Sequence, residues 1–391
     1  MTKWSVNLRR LTLAAGLCAL IPGSMSAWAQ NTNPAAGWPV SESCLGPLPY
    51  PTIPQTQWDF EGAIFNANSE GVRAIRADVS TSYFLALEGS NVFAEAGGFS
   101  PDGRYFAYPI GSMNFSVNSF GDNTYGVDAI EVATTGPNPT TIRLADIETI
   151  GNAFAFSSAG GGAQSSALGQ IYWVDNERFI PPSSIGIVNA FTESLESWEK
   201  NTPLVYLRSF SPDFTRALEY NFRENYPPRL YDIENDQIIA ELPEARAALY
   251  WMPDSSQFLS AIQVPNDDLR SQLALYDRDG QQLELITPFS GRMESIAISP
   301  DGNYFTFVVD NFLFLADVAN RTINDLCFEM VHASGSGFDR GPFARRIVWS
   351  PDSERFAFLY DGYPVLLTVE TNEMQILRFE TDHLIQWSAV E

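Results

Sequence analysis

The chain has 391 residues, 45% hydrophobic and 18% charged, with 47 acidic side chains against 23 basic ones and a formal charge of −24 at pH 7. So much apolar content supports a sizeable core and excludes wholesale disorder. The negative field repels phosphate backbones and anionic headgroups, which argues against nucleic acid and acidic lipid surfaces as partners.

Residues 1–29 read as an export signal. A basic start (Lys3, Arg9, Arg10) precedes an apolar run from Leu11 to Ile21, and Ala27-Trp28-Ala29 offers small residues for a signal peptidase, so cleavage is expected before Gln30. The run is too short to cross a hydrocarbon core of ~30 Å, and no membrane insertion is expected. Leu17 stands where a lipoprotein signal needs a small residue, so Cys18 is not expected to carry lipid. Residues 30–57 are proline-rich and without period, and are expected to form an extended arm lying on the domain of residues 58–391. Cys44 and Cys327 then remain, and are expected to pair in an oxidising extracytoplasmic compartment, secreted or periplasmic.

Beyond residue 58 one phrase recurs. It stands as Phe99-Ser-Pro-Asp-Gly103, Phe210-Ser-Pro-Asp213, Trp251-Met-Pro-Asp254, Ile298-Ser-Pro-Asp-Gly302 and Trp349-Ser-Pro-Asp352, each followed by an alternating aromatic-aliphatic stretch. Tyr172-Trp-Val-Asp175 is a degraded copy without proline. Proline presets φ, aspartate bonds the backbone ahead of it and glycine accepts positive φ, so each phrase reads as strand, tight turn, strand. Asp102, Asp213, Asp254, Asp301 and Asp352 are therefore expected to be turn formers. Where Phe214, Ser255 and Ser353 replace the glycine, a different turn type is expected. A second phrase starts at Leu230, Leu275, Leu315 and Leu367 and reads as a strand, a polar turn and a strand. Each unit thus holds four strands at a period of roughly 40–50 residues.

A Ser-Pro-Asp-Gly turn, an aromatic-aliphatic strand and a Leu-x-Asp hairpin together resemble the TolB-type, WD-repeat-like propeller repeat over roughly residues 58–391. The resemblance implies an all-β β-propeller of a kind found in secreted scaffolds, envelope complexes and the non-catalytic propellers of some peptidases. First strands fall near 93–99, 170–174, 204–210, 247–252, 293–299 and 345–350. Leu384–Ser388 looks like a first strand with nothing after it, and Trp58–Leu87 like later strands with no first strand before them. Joining the two closes seven four-stranded blades and leaves no open sheet edge at the seam. Six blades is the next reading, because residues 148–201 fit poorly: they hold a Gly/Ser/Ala-rich run (157–169) and an expected short helix (191–200). An irregular or incomplete blade is expected there.

Signals for chemistry are few. No His-x-x-x-His, Cys-x-x-Cys, Gly-x-Ser-x-Gly, phosphate loop or dinucleotide fingerprint occurs, and Lys200 is the one lysine after the export signal. No catalytic residue, metal or cofactor is expected. Asp277-Arg-Asp279-Gly280 matches part of a calcium loop but lacks its remaining ligands and reads as a hairpin turn. His383 is expected to satisfy backbone at the closing strand. Binding residues are expected on the face opposite the repeated turn, where second strands turn into third strands: Asp122, Tyr125, Arg223, Tyr226, Asp268, Arg270, Asp310, His332 (beside Asp339 and Arg340), Asp361 and Tyr363. The leading expectation is a monomeric, non-catalytic binding or scaffold module for a protein, peptide or glycan partner. The alternative is a hydrolase or lyase using carboxylates such as Asp310, Asp361 or Asp382 at the channel mouth.

Overall fold

A computed structural model describes residues 37–46, 54–68, 71–78, 82–87, 91–92, 97–117, 123–144, 155–158, 171–181, 186–220, 226–245, 248–264, 267–291, 293–330, 347–381 and 383–389. Seven antiparallel sheets form the blades. Blade 1 joins His383–Ser388 to Ala63–Asn68, Gly71–Ile75 and Tyr83–Leu87. Blade 2 runs Gly98–Phe99, Tyr105–Val117, Asn123–Thr134, Thr141–Leu144. Blade 3 runs Tyr172–Trp173, Arg178–Ile180, Gly186–Asn189, Ser194–Ser197. Blade 4 runs Leu207–Arg208, Arg216–Glu219, Arg229–Asp232, Gln237–Glu241. Blade 5 runs Tyr250–Trp251, Gln257–Val264, Asp267–Asp277, Gln282–Leu285. Blade 6 runs Met293–Ile298, Tyr304–Val309, Phe312–Asp317, Thr322–Glu329. Blade 7 runs Val348–Trp349, Arg355–Tyr360, Tyr363–Thr368, Met374–Ile376.

The core shows that these sheets make a ring. It divides into hydrophobic clusters that each draw on two successive blades, one cluster per seam. The cluster of Ile64, Leu384 and Trp387 with Val348, Ala357 and Leu366 joins blade 7 to blade 1 and completes the circle. Closure is as the sequence predicts: the C-terminal strand pairs with Ala63–Asn68, with Ile64 opposite Trp387. Trp387 is buried, its Nε1 donates to the Glu61 carbonyl (2.8 Å), and its ring takes the edge of Phe60. Gly62, at φ 77°, lies so close to the Ser388 carbonyl that a Cβ would collide with it.

The repeated turn is one hydrogen-bonded unit. In blade 6, Ser299 Oγ donates to Asp301 Oδ1 (2.6 Å) and accepts the Tyr304 N–H (2.9 Å), while Asp301 Oδ1 also accepts the Asn303 N–H (3.0 Å). Blades 2, 4 and 7 repeat this around Ser100, Ser211 and Ser350. The turn type does not change where glycine is missing, contrary to expectation. Phe214, Ser255 and Ser353 sit at φ 56°, 59° and 64°, beside 71° and 73° at Gly103 and Gly302. Each donates its N–H to the carbonyl three residues back, as the glycines do. The side-chain network holds the turn, and the left-handed residue bears a strain of about 1–2 kcal/mol. In blade 3 the turn is shorter: Asp175 Oδ1 takes the Glu177 and Arg178 N–H groups itself (2.9 and 2.8 Å).

An alternation runs around the ring. Just before the turn, blades 1 to 7 carry Trp387, Phe99, Trp173, Phe210, Trp251, Ile298 and Trp349. The indoles of blades 3, 5 and 7 donate to the first strand of the preceding blade: Trp173 to Gly98 O (2.9 Å), Trp251 to Ser209 O (2.7 Å), Trp349 to Ala297 O (3.2 Å). The same blades place Asn176, Ser255 and Ser353 in their turns. These side chains accept the N–H groups of Asp102 (3.1 Å), Asp213 (3.0 Å) and Asp301 (3.1 Å) from the blade before. Blades 2–3, 4–5 and 6–7 are thus latched in pairs. The pair 4–5 adds two crossed ion pairs, Arg216 with Asp279 (3.1 Å) and Arg278 with Asp213 (3.2 Å). Asp277 Oδ1 accepts the Asp279 and Gln281 N–H groups (3.0 and 2.8 Å), so this acidic motif serves as a turn and an inter-blade tie.

Ahead of blade 1, Val40–Glu42 pairs in parallel with Thr322–Glu329 and covers the outer edge of blade 6. Trp38 is buried there against Phe305, and Cys44 is bonded to Cys327, 283 residues away. In blade 3 the expected helix is not found, and of the expected irregular or incomplete blade the irregularity holds. The segment 191–200 holds a strand, Ser194–Ser197, rather than a helix: Asn189 Oδ1 accepts the Phe191 and Thr192 N–H groups (both 2.9 Å), which turns the chain back onto Gly186–Asn189. The blade is also complete, with strands of only two to four residues.

Candidate binding face

Two faces of the ring differ. One carries the repeated turns. On the other, second strands turn into third strands, and these hairpins differ in length. Those of blades 6 and 7 have strands of 6 residues, whereas blade 2 has 13 and 12, and blade 5 has 8 and 11. At about 3.4 Å per residue the blade 2 hairpin projects roughly 20 Å farther than those of blades 6 and 7. Its far end is widened by Ala155–Ser158, which pairs with Asn123–Gly126, and Phe289–Ser290 extends the blade 5 hairpin in the same way. Blades 2 and 5 stand nearly opposite in a ring of seven, so the projections flank the channel mouth.

Of the residues expected on this face, Asp122, Arg223, His332 and Arg340 lie outside the described residues, as does Asp382. Tyr125 and Asp268 lie in the strands Asn123–Thr134 and Asp267–Asp277, with side chains outside the described set. Arg270 pairs through its backbone with Ser290. Asp310-Asn311 (φ 44° and 80°) and Asp361-Gly362 (φ 49° and 79°) are two-residue hairpin turns of the primed type, which demand positive φ at both positions. The Asp310 carboxylate packs against Gly291. Tyr363 donates to Glu380 Oε1 (2.7 Å), which raises its hydroxyl above the ordinary range.

Tyr226 belongs to a tight group. Its hydroxyl donates to Glu219 Oε1 (3.1 Å), its ring lies 3.9 Å beneath the Arg229 guanidinium, and Arg229 Nη2 is 2.7 Å from the buried Glu219 carboxylate. Burial pulls the Arg229 guanidinium down and the Glu219 carboxylate more than offsets it. His383 is half-buried in the closing strand, and its Nδ1 is buried without a hydrogen-bond partner.

The structure adds a group that sequence reasoning missed. Tyr172, Arg208 and Tyr250 occupy one ladder level on the inner strands of blades 3, 4 and 5, opposite Ile180, Leu218 and Leu259. Arg208 lies 4.9 Å from the Tyr220 ring, and its Nη2 donates to the Tyr220 carbonyl (3.3 Å). Burial holds the guanidinium below its ordinary value, while Tyr172 and Tyr220 act in the opposite sense. Burial also raises the Tyr250 hydroxyl, with a further contribution from Tyr172. Ser209, at φ 49°, sits in the middle. Its N–H reaches toward the Tyr172 hydroxyl (3.4 Å), its Oγ accepts the Leu249 N–H (3.1 Å) and its carbonyl accepts Trp251 Nε1. The extra residue shifts Arg208 by one position relative to the phrase Phe210-Ser-Pro-Asp213. A signal did exist in the sequence: two residues before the aromatic, the other blades carry Gly97, Ile171, Leu249, Ile296, Ile347 and Ile385, and only blade 4 carries a charge.

No family model and no curated protein matches the sequence. Among solved structures the chain is similar to "Crystal structure of the eukaryotic initiation factor" at a TM-score of 0.43 and 12% identity, covering 84% of this chain and 98% of that one. It is also similar to "Complex of KlAtg21 with coiled-coil of AgAtg16" at 0.41 and 9%, covering 71% and 81%. Likeness this distant says nothing of what the present chain binds.

Proposed function

We propose that this chain is an exported, non-catalytic propeller of the TolB-like, WD-repeat-like kind. On this reading it acts as a monomeric binding or scaffold module for a protein, peptide or glycan partner outside the cytoplasm. The observation that carries the reading is the asymmetry of the two faces: near-uniform turns on one, two long hairpins flanking the channel mouth on the other. The Cys44–Cys327 bond and the export-signal pattern of residues 1–29 support an oxidising compartment.

The test joins Ser112 to Gly126, which are paired, through an Asn-Gly turn and so removes the far end of the blade 2 hairpin. Intact and shortened proteins are immobilised and exposed to the extracytoplasmic fraction of the source cells. A partner kept by the intact protein and lost by the shortened one is expected. Equal capture by both would overturn the assignment of the face. Hydrolysis of a peptide or glycan panel that disappears in Asp361→Asn would overturn the non-catalytic reading.

A further inference from the structure

We infer that the inner strands of blades 3, 4 and 5 form a binding site for a singly charged carboxylate, held by Arg208 with the Tyr250 and Tyr172 hydroxyls beside it. The site is distinct from the hairpin tips and does not depend on the partner reading above.

The first argument is charge. In a chain with twice as many acidic as basic residues, guanidinium groups find carboxylates readily, as Arg104, Arg178, Arg216, Arg229 and Arg278 do. Arg208 is half-buried, yet among the described residues no carboxylate lies within ion-pair distance of it. Among the described residues its partners are the Tyr220 ring and carbonyl, which engage one edge of the fork and leave Nη1 and Nε without a described partner. A guanidinium partly withdrawn from water, with no counter-charge among the described residues, gains from being given one. A ligand carboxylate supplies the missing charge and fits the fork in two parallel bonds.

The second argument is shape. Inner strands of blades 2 and 3, 5 and 6, 6 and 7, and 7 and 1 lie against one another, and Ser209 ties the inner strand of blade 4 to blades 3 and 5. At the level of Arg208, blades 2, 6 and 7 carry Gly98, Ala297 and Val348, the residues paired with Ala107, Thr306 and Ala357. One arc of the ring is therefore Tyr-Arg-Tyr; on the facing arc blades 2, 6 and 7 carry these uncharged residues and blade 1 carries Gln386, paired with Phe65. The Tyr250 hydroxyl bonds no described residue and is available as a donor. The third argument is strain. Ser209, a non-glycine at φ 49°, commits its N–H, hydroxyl and carbonyl to the neighbouring blades. This strained backbone sets Arg208 level with the two tyrosines, the kind of local strain that functional sites carry. The protein's negative field, with one guanidinium against it, selects a monoanion over a dianion.

The probes are 13C-carboxyl acetate, neutral acetamide and inorganic phosphate, titrated by NMR into the full mature protein at pH 7. Acetate is expected to bind saturably, acetamide not at all, and phosphate more weakly than acetate. Arg208→Met is expected to weaken acetate binding by roughly tenfold or more, and Tyr250→Phe, which keeps the ring, by about threefold to tenfold. Tyr250→Phe also decides the matter should Arg208→Met fail to fold. No saturable acetate response in the wild-type protein, an unchanged response in folded Arg208→Met or in Tyr250→Phe, or tighter binding of phosphate than of acetate would each overturn the assignment. Shortening the blade 2 hairpin is expected to leave acetate binding unchanged, so loss of the partner and loss of the carboxylate are read separately.

Discussion

Ser353 allows the seam between blades 6 and 7 to be tested with the sign reversed from the usual one. Its hydroxyl accepts the Asp301 N–H across the seam (3.1 Å), its φ is 64°, and it is 5% exposed. Ser353→Ala deletes the acceptor and keeps the left-handed backbone, so it should cost about 1–2 kcal/mol, for the loss of a part-buried hydrogen bond across the seam. Ser353→Gly deletes the same acceptor but relieves about 1–2 kcal/mol of backbone strain, offset by about 0.4–1 kcal/mol of unfolded-state entropy. Glycine should therefore be more stable than alanine here by about 0.5–1 kcal/mol, whereas inside an ordinary strand it is less stable. With a urea slope of about 3 kcal/mol/M, the alanine variant should unfold at a midpoint about 0.3–0.7 M lower than wild type, and the glycine variant between the two. Gly302 provides the reverse substitution: an added Cβ would make only an ordinary 3.4 Å contact with Pro253, so the loss in Gly302→Ala should report backbone strain less the unfolded-state entropy gained. An alanine variant at position 353 as stable as the glycine variant, at equal slopes, would refute the reasoning.

Other expectations follow from the same structure. Reducing the Cys44–Cys327 bond, or replacing both cysteines by serine, opens a cross-link spanning 283 residues and should cost about 5 kcal/mol in the chain-entropy account, read as a lower urea midpoint with reductant than without. Arg216→Met strands the Asp232 carboxylate, whose side chain is 4% exposed and 3.1 Å from Arg216 Nη1; a loss of about 3–5 kcal/mol is expected, with partial recovery when Asp232→Asn is added. At Asp102, Asp213 and Asp301 burial opposes ionisation, and the serine hydroxyl and backbone donors override it, holding each carboxyl below its ordinary value. A depressed folded-state value contributes stability that is present above the unfolded carboxyl value of about 4 and is lost as pH falls through the folded one. The urea midpoint should therefore hold near pH 5–7 and drop below about pH 4; a flat profile from pH 6 to pH 3 would contradict this.

The fold was legible because its information is local and repeated. Proline, aspartate and glycine set the turn within four residues, and five copies of it fix the spacing of the strands. Ring closure was legible for a different reason: Leu384–Ser388 and Trp58–Leu87 were each an incomplete blade. What could not be read depends on partners distant in sequence. Ser353 looks like a spoiled glycine until Asp301 is set beside it. Asp310 and Asp361 read as loop carboxylates, and the sequence did not show that each opens a two-residue turn between paired strands. Arg208 escaped notice because Ser209 inserts one extra residue and moves it onto the level of Tyr172 and Tyr250.

The pairing of blades has an arithmetic consequence. A circle whose members alternate between two kinds closes without mismatch only when their number is even, and this one has an odd number. Two tryptophan-bearing blades, those of Trp349 and Trp387, must therefore stand side by side. The mismatch falls where the first and last strands of the ring meet, and there the indole of Trp387 donates to the Glu61 carbonyl, just ahead of Ala63–Asn68, instead of reaching back to blade 7. Gaining or losing a whole couplet would preserve this arrangement, while gaining or losing a single blade would move the fault away from the clasp or remove the need for one.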